Sequence, residues 1–499
     1  MKKTRLIWLI ILSACLFAVM VEPVRAQTDD GVNYHAYSYS YWGQPVASPA
    51  GFTVEETKNG EELGVGKLFE PKDLYISPQR ELYIVDSGND RVMVFDLNWK
   101  QLRTIDKLIA EDGSENVLKS PSGVFVDRDG AVLIADTGNK RVVRCDENGH
   151  ILAVYQKPDA DIQFTGIDFL PYRVLSDDTG CVYVLCQGIY QGALVYEADG
   201  AFIGYYGTNY VEAGVVSALK LFWKNLASEE RRSKMERFVP EEFTSFDIDE
   251  KGFVYTVTEI TKTSKNQIKK INPLGVNVLD DNTRIQSNYW GRYGDLELRW
   301  YGGKVLQPRF VDICYDGEGF INALDRERGR VFQYDTEGNL IMLGGGTAGQ
   351  SGTFKKATAI ECADDRLYLL DEQKANITVF RFTEYGKEIR QATQLYTAGR
   401  FSESRVLWKS VLEKNANCEL AYAGIGKAFY EEGKYGEAMH FCKLGYDRKG
   451  YAKAFAEYRA ELVGRYLPWV ATAAVALTLA VLIRSWVRRA RKTLKRFRG

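Results

Sequence analysis

Histidine is nearly absent from this chain: among 499 residues only His35, His150 and His440 occur. That scarcity argues against a three-histidine zinc centre and leaves few bases for a nucleophile–histidine–acid triad. Gly-x-Ser-x-Gly, His-Glu-x-x-His and Gly-x4-Gly-Lys are also missing, so no common hydrolase, metalloprotease or nucleotide motif is present. Cysteine is sparse. Cys145, Cys181, Cys186, Cys314, Cys362, Cys418 and Cys442 follow the first 26 residues, with no Cys-x-x-Cys pair, which excludes a disulfide scaffold. They read as small buried hydrophobes, Cys314 and Cys362 on predicted strands.

Net charge is the last thing in short supply, at −1 overall. The balance conceals a segregation. Residues 1–26 carry +3 and residues 484–499 carry +8, which leaves −12 for the body between them. An acidic body excludes nucleic acid as the ligand. The basic start, Met1-Lys2-Lys3-Thr4-Arg5, precedes an apolar run from Leu6 to Val21 and a small-x-small pattern at Val24-Arg25-Ala26, the pattern of a secretory signal over residues 1–26. Leu12-Ser13-Ala14-Cys15 also fits a lipoprotein box, so cleavage after Ala26, retention and processing at Cys15 all stay open. Near the other end, Leu467 to Ile483 is apolar apart from two threonines, with Trp469 and Trp486 at its borders. The expectation is a transmembrane helix over 466–484 and a basic cytoplasmic tail over 485–499, attracted to anionic lipid, with the body outside the cell membrane.

The body is repetitive. Pro71–Leu102 and Pro121–Leu152 align without a gap at a spacing of 50 residues, and Leu82-Tyr83-Ile84-Val85-Asp86-Ser87-Gly88-Asn89-Asp90-Arg91 matches Val132-Leu133-Ile134-Ala135-Asp136-Thr137-Gly138-Asn139-Lys140-Arg141. Weaker copies begin near Ser176, Asp247, Val311 and Ala357. Each alternates apolar and polar residues between Gly- and Asp-rich turns, the pattern of short antiparallel strands. Six such units predict a mainly β fold, a six-bladed β-propeller over 27–383. The last unit runs out near Phe382, so Tyr37–Trp42 or Gly51–Glu56 is expected to supply its missing strand.

The motif Asp-x-Gly-Asn-x-Arg resembles the NHL repeat, closely at Asp86, Gly88, Asn89 and Arg91 and at Asp136, Gly138, Asn139 and Arg141. Asp325 and Arg330 keep the acid and the arginine. In each the acid is expected to cap the turn and meet the arginine, with Gly88 and Gly138 supplying a positive φ. The recurring acids are read as a turn device and not as a metal site. The resemblance implies a binding propeller, an accessory to a surface transporter or envelope assembly. Because some six-bladed relatives are calcium-dependent lactone hydrolases, it leaves such an activity on the propeller axis as the alternative. No cofactor or metal is assigned.

Inserts separate the later units. One carries an amphipathic helix at about 214–237; another holds Tyr289-Trp290-Gly291-Arg292-Tyr293 and Trp300-Tyr301. All are expected on one propeller face, where Tyr206, Trp223, Tyr289, Trp290, Tyr293 and Trp300 would meet a carbohydrate, a peptide or a partner protein. From residue 384 the period turns helical. Gly399-Arg400-Phe401-Ser402-Glu403-Ser404 and Gly433-Lys434-Tyr435-Gly436-Glu437-Ala438 lie 34 residues apart and resemble tetratricopeptide repeats over 384–465. Gly399, Ser404, Gly433 and Ala438 are expected at close helix contacts. The resulting expectation is a membrane-anchored extracellular binding protein without enzymatic activity, docking a protein partner of the membrane or cell envelope.

Overall fold

The computed structural model describes residues 36–158, 167–189, 192–207, 242–258, 267–279, 293–296, 299–301, 304–347 and 351–496. The expected signal and insert helix, with Trp223, Tyr289 and Trp290, lie outside the described residues. Two compact units divide the chain, Met1–Arg390 and Gln391–Gly499.

The first unit is the six-bladed propeller. Each blade is a small antiparallel sheet whose inner strand starts the unit: Pro71–Ile76 in blade I, Gly123–Val126 in II, Pro171–Ser176 in III, Phe243–Ile248 in IV, Phe310–Tyr315 in V and Ala357–Ala363 in VI. Blades I, II, III and V have four consecutive strands; three are described in blade IV. The alternation seen in the sequence buries one face of each blade against its neighbour. Val92, Val94, Val124 and Ile134 fill the space between blades I and II, and Tyr155, Val184, Leu194 and Tyr196 pack between II and III.

Blade VI takes its fourth strand from the other end of the chain: Phe52–Asn59 pairs antiparallel with Asn376–Phe382. Phe52 stacks edge-on against Phe380 at 5.3 Å, so the closure is sealed by a buried aromatic pair as well as by backbone bonds. Tyr37–Tyr39 takes no part in the blade and pairs instead with Pro45–Ala47 in a separate hairpin.

The repeated turn differs from expectation in one respect. The positive φ falls at Asp90 (53°) and Lys140 (55°), one residue after the Asn, and not at Gly88 or Gly138. Those glycines are required by close approach. A Cβ on Gly138 would lie 2.6 Å from the Lys119 carbonyl oxygen, and one on Gly88 would lie 2.8 Å from that of Phe69. Each glycine N–H donates to that same carbonyl, at 2.9 and 2.8 Å.

Helix α1 (Glu384–Thr397) leaves blade VI directly. Its Arg390 forms an ion pair with Asp316 and donates to Glu318, both at 2.7 Å, with its guanidinium against the rings of Phe320 and Phe382. The second unit continues with α2 (Phe401–Lys414), α3 (Glu419–Glu431), α4 (Tyr435–Leu444) and α5 (Arg448–Arg496). Ser404 and Ala438 are fully buried between helices as expected. Gly399 and Gly433 are not contact residues: each takes a positive φ of 75° or 73° at an inter-helix turn, with open space where a Cβ would stand. Close approach occurs at Gly424, against the Trp408 indole, and at Gly426, against Cys442. Helix α5 is continuous through Pro468, so the expected capping helix and the apolar run are one element.

Candidate functional site on the propeller axis

Inner strands of a propeller surround its axis, and the register of each blade fixes which side chains meet there. Pairing of the first two strands aligns Asp73, Gly123, Arg173, Ser245, Asp312 and Ala359 at one level. Two residues further along come Tyr75, Phe125, Leu175, Asp247, Cys314 and Glu361.

Arg173 dominates the first level. From blade III its guanidinium reaches Asp73 of blade I at 2.6 Å and lies 3.7 Å from Asp312 of blade V. It also donates to Ser245 Oγ of blade IV (3.2 Å), to the Ser122 carbonyl beside blade II (3.3 Å) and to the Thr358 carbonyl of blade VI (3.2 Å). One side chain therefore contacts all five other blades. The ions are buried, with side-chain exposures of 11% for Arg173 and 7% for each aspartate. Their remaining lone pairs are satisfied across blade boundaries: Val124 N–H donates to Asp73 at 3.0 Å, Ile360 N–H to Asp312 at 2.7 Å, and Ser245 Oγ to Asp312 at 2.6 Å. Burial pushes both carboxyls upward, Asp73 to about 7, against the pull of Arg173.

Among the described residues the second level has acids without a paired cation. Asp247 accepts the N–H of Tyr315 from blade V at 2.6 Å and that of Ile248 at 2.8 Å, yet burial still raises it to about 7. Glu361 has no hydrogen-bond partner among the described residues. Burial, with the charges of Asp247, Cys362, Asp312 and Asp73, holds it well above the usual carboxylate range. Both line the axis as half-buried side chains. Asp247 can therefore donate or accept a proton near neutral pH, beside a Glu361 carboxyl held above its ordinary range.

Calcium would need six to eight oxygens at roughly 2.3–2.6 Å. The residues present do not fit it: the Arg173 guanidinium already bridges the two first-level aspartates, and among the described residues no three His, Cys, Asp or Glu side chains converge closely enough to share an ion.

The turn residues sit away from this cluster. Asp86 is fully buried; it accepts Phe69 N–H at 2.7 Å, Asn89 Nδ2 at 2.7 Å and Arg91 Nε at 2.8 Å. Asp136 repeats this with Lys119 N–H, Asn139 and Arg141 at 2.8, 2.9 and 2.8 Å. Blade V breaks the pattern. Arg330 opposes Asp325 in register, but its guanidinium turns to Asp295 at 2.5 Å, which also binds Arg328 at 2.7 Å and the hydroxyls of Tyr37 and Tyr39. Among the described residues Asp325 keeps only the backbone donors Arg309 and Glu327, and burial raises it to about 7.

Of the aromatics expected on an open face, Tyr206 donates to the Asn272 carbonyl at 2.6 Å and packs edge-on against Tyr183, tying blade III to blade IV. Tyr293 is 3% exposed and packs edge-on against Tyr334. In this structure each ring packs at a boundary between segments. Trp300 lies on a strand pairing with Val305. Sequence reasoning missed the axial set. The signal was available in part: residues 73, 123 and 173 keep the 50-residue spacing, so an arginine at the third position faces an aspartate at the first.

Comparison with known proteins places a match to the SMP-30/gluconolactonase/LRE-like region over residues 74–169, which are blades I and II. No curated protein sequence matches the chain. Among solved structures, virginiamycin B lyase from Staphylococcus aureus is similar at 9% identity and a TM-score of 0.39, covering 66% of this chain and all of that one. A streptogramin B lyase is similar at 10% identity and 0.41, covering 67% and all. BamB from Moraxella catarrhalis is similar at 12% identity and 0.33, covering 62% and 85%.

Proposed function

We propose that this chain is a membrane-attached binding protein, its propeller held outside the cell by one C-terminal span and its helical unit engaging a protein partner of the membrane or envelope. The observation that carries the reading is helix α5. None of its most apolar window is buried, with Trp469 75%, Leu477 68% and Ile483 61% exposed, so lipid is the cover its composition requires. The hydroxyls inside the run bond back to helix carbonyls, Thr472 to Pro468 and Thr478 to Val475, both at 2.7 Å, as a hydrocarbon environment demands. The −12 body and the arginine-rich tail favour the body outside. The axis supports binding over metal-dependent catalysis, because its central position is filled by Arg173.

A second reading, hydrolysis of a lactone at the axis, is favoured by the family match over residues 74–169. Asp247 and Glu361 are the acids it would use.

The full chain, expressed with its own N-terminal segment, tests both. We expect it in membranes after a high-pH carbonate wash, with a protease site placed in the exposed Asp112–Ser114 turn cut from outside intact cells. Extraction by carbonate, or cutting only after lysis, would remove the first reading. Lactone turnover that disappears in Asp247→Asn and Glu361→Gln would establish the second.

A further inference from the structure

Cys314 and Cys362 stand on the inner strands of blades V and VI. These strands are direct neighbours, since Asp312 accepts the N–H of Ile360 across the boundary at 2.7 Å. Two residues further along each strand come the two cysteines, one on each side of the same blade boundary and close enough for each thiol to perturb the other's ionisation. Cys314, at the level of Asp247 and Glu361, is 1% exposed, and Cys362, one residue past Glu361, is half-buried. Both are free thiols in this structure. The propeller's other cysteines, Cys145, Cys181 and Cys186, lie in or beside strands of blades II and III.

We infer that Cys314 and Cys362 are a modification site, a thiol pair that closes into a disulfide between blades V and VI when the body faces an oxidising compartment. The inference rests on the exported orientation proposed above for its setting, and on the neighbouring strands for its geometry. The oxidant is a small-molecule disulfide such as oxidised glutathione. The Cys362 thiolate attacks one of its sulfurs and releases one reduced thiol. The Cys314 thiolate then attacks Cys362 Sγ, forming the protein disulfide and releasing the second reduced thiol, which carries off the second proton.

Blade VI is the seam of the ring, closed only by the distant strand Phe52–Asn59. A covalent link from it to blade V reinforces the boundary next to that closure, and it spans a loop on the order of 50 residues, long enough for strong stabilisation. Exchange in the folded protein is slow. Burial pushes Cys314 well up; at Cys362 the largest influence, Cys314, lowers the thiol, but burial together with the charges of Asp316 and Asp247 leaves it raised, so few thiolates exist near neutral pH and the rate rises with pH.

The test uses the full chain in detergent, reduced and then equilibrated at pH 8 with a mixture of oxidised and reduced glutathione. Free thiols are alkylated and the protein is digested without reduction for mass spectrometry. We expect a cross-linked peptide joining residues 314 and 362, and a Tm about 5 °C above that of the reduced chain. The gain should vanish in Cys314→Ser, with Cys362→Ser as the second variant should the first not fold. Alkyl groups on both Cys314 and Cys362 at equilibrium would overturn the inference. A link that forms in glutathione but is absent from protein taken from cells counts against the exported orientation and leaves the pair intact.

Discussion

Arg173 shows how much one residue can decide in a propeller. A buried guanidinium costs several kcal/mol in desolvation and is tolerated only with good geometry and satisfied donors. Here it has two aspartates, a serine and two backbone carbonyls, each from a different blade. Removing it leaves Asp73 and Asp312 facing one another without a cation. Arg173→Met is therefore expected to lower stability by about 4 kcal/mol in urea unfolding, and adding Asp73→Asn and Asp312→Asn should restore part of the loss. Equal stability of the single variant and the parent would mean the ions contribute nothing to closure. Residues at this level were hard to read from sequence because inserts after blade III break the spacing: 245, 312 and 359 no longer follow the interval of 50. Arg330 was misread for a related reason, since Asp295, the acid that captures it, comes from an insert between blades.

Elements were more legible than contacts. Strand alternation and turn residues mark all six units, and the exhaustion of the last unit at Phe382 pointed to a strand from the N-terminal side. Which segment supplies it depends on a register that period-two patterning cannot distinguish. Phe52–Asn59 prevails over the Tyr37 segment because Phe52 reaches the buried cluster of Phe380 and Phe382, whereas Tyr37 and Tyr39 are drawn to Asp295. Phe52→Ala is accordingly expected to cost about 3–4 kcal/mol. Trp42→Ala, 55% exposed beside the separate hairpin, should change stability by less than about 0.5 kcal/mol. Comparable losses in chemical denaturation would place the closing contact elsewhere. The helical segment was read with the same mixture: its period is visible, but glycine alone does not reveal whether it serves a turn, as Gly399 and Gly433 do, or a contact, as Gly424 and Gly426 do.

At the scale of the whole molecule, the acids of the body set its response to pH. Two groups of acids respond in opposite directions. Surface carboxylates such as Glu55 and Glu81 are held low by hydrogen bonds from Arg366 and Arg103, so they support the fold above their unfolded values and that support is lost as pH falls below about 4.5. Asp247 on the axis and Asp325 at the blade V turn behave oppositely. Asp247 and Asp325 are raised by burial to about 7, from about 3.9 in an unfolded chain, so the folded protein binds more protons than the unfolded one between those values. Stability must then fall as pH rises through that window, placing the maximum near pH 5. Asp247→Asn retains an acceptor for the Tyr315 N–H but has nothing to titrate. In urea unfolding at pH 5, 6, 7 and 8 the variant should lose about 1–2 kcal/mol less than the parent, a figure reduced from the full shift because Asp247 is only half-buried along the axis. Parallel pH profiles for the two proteins would show that Asp247 is ionised in the fold throughout, and that the acids of the second level have a cation of their own.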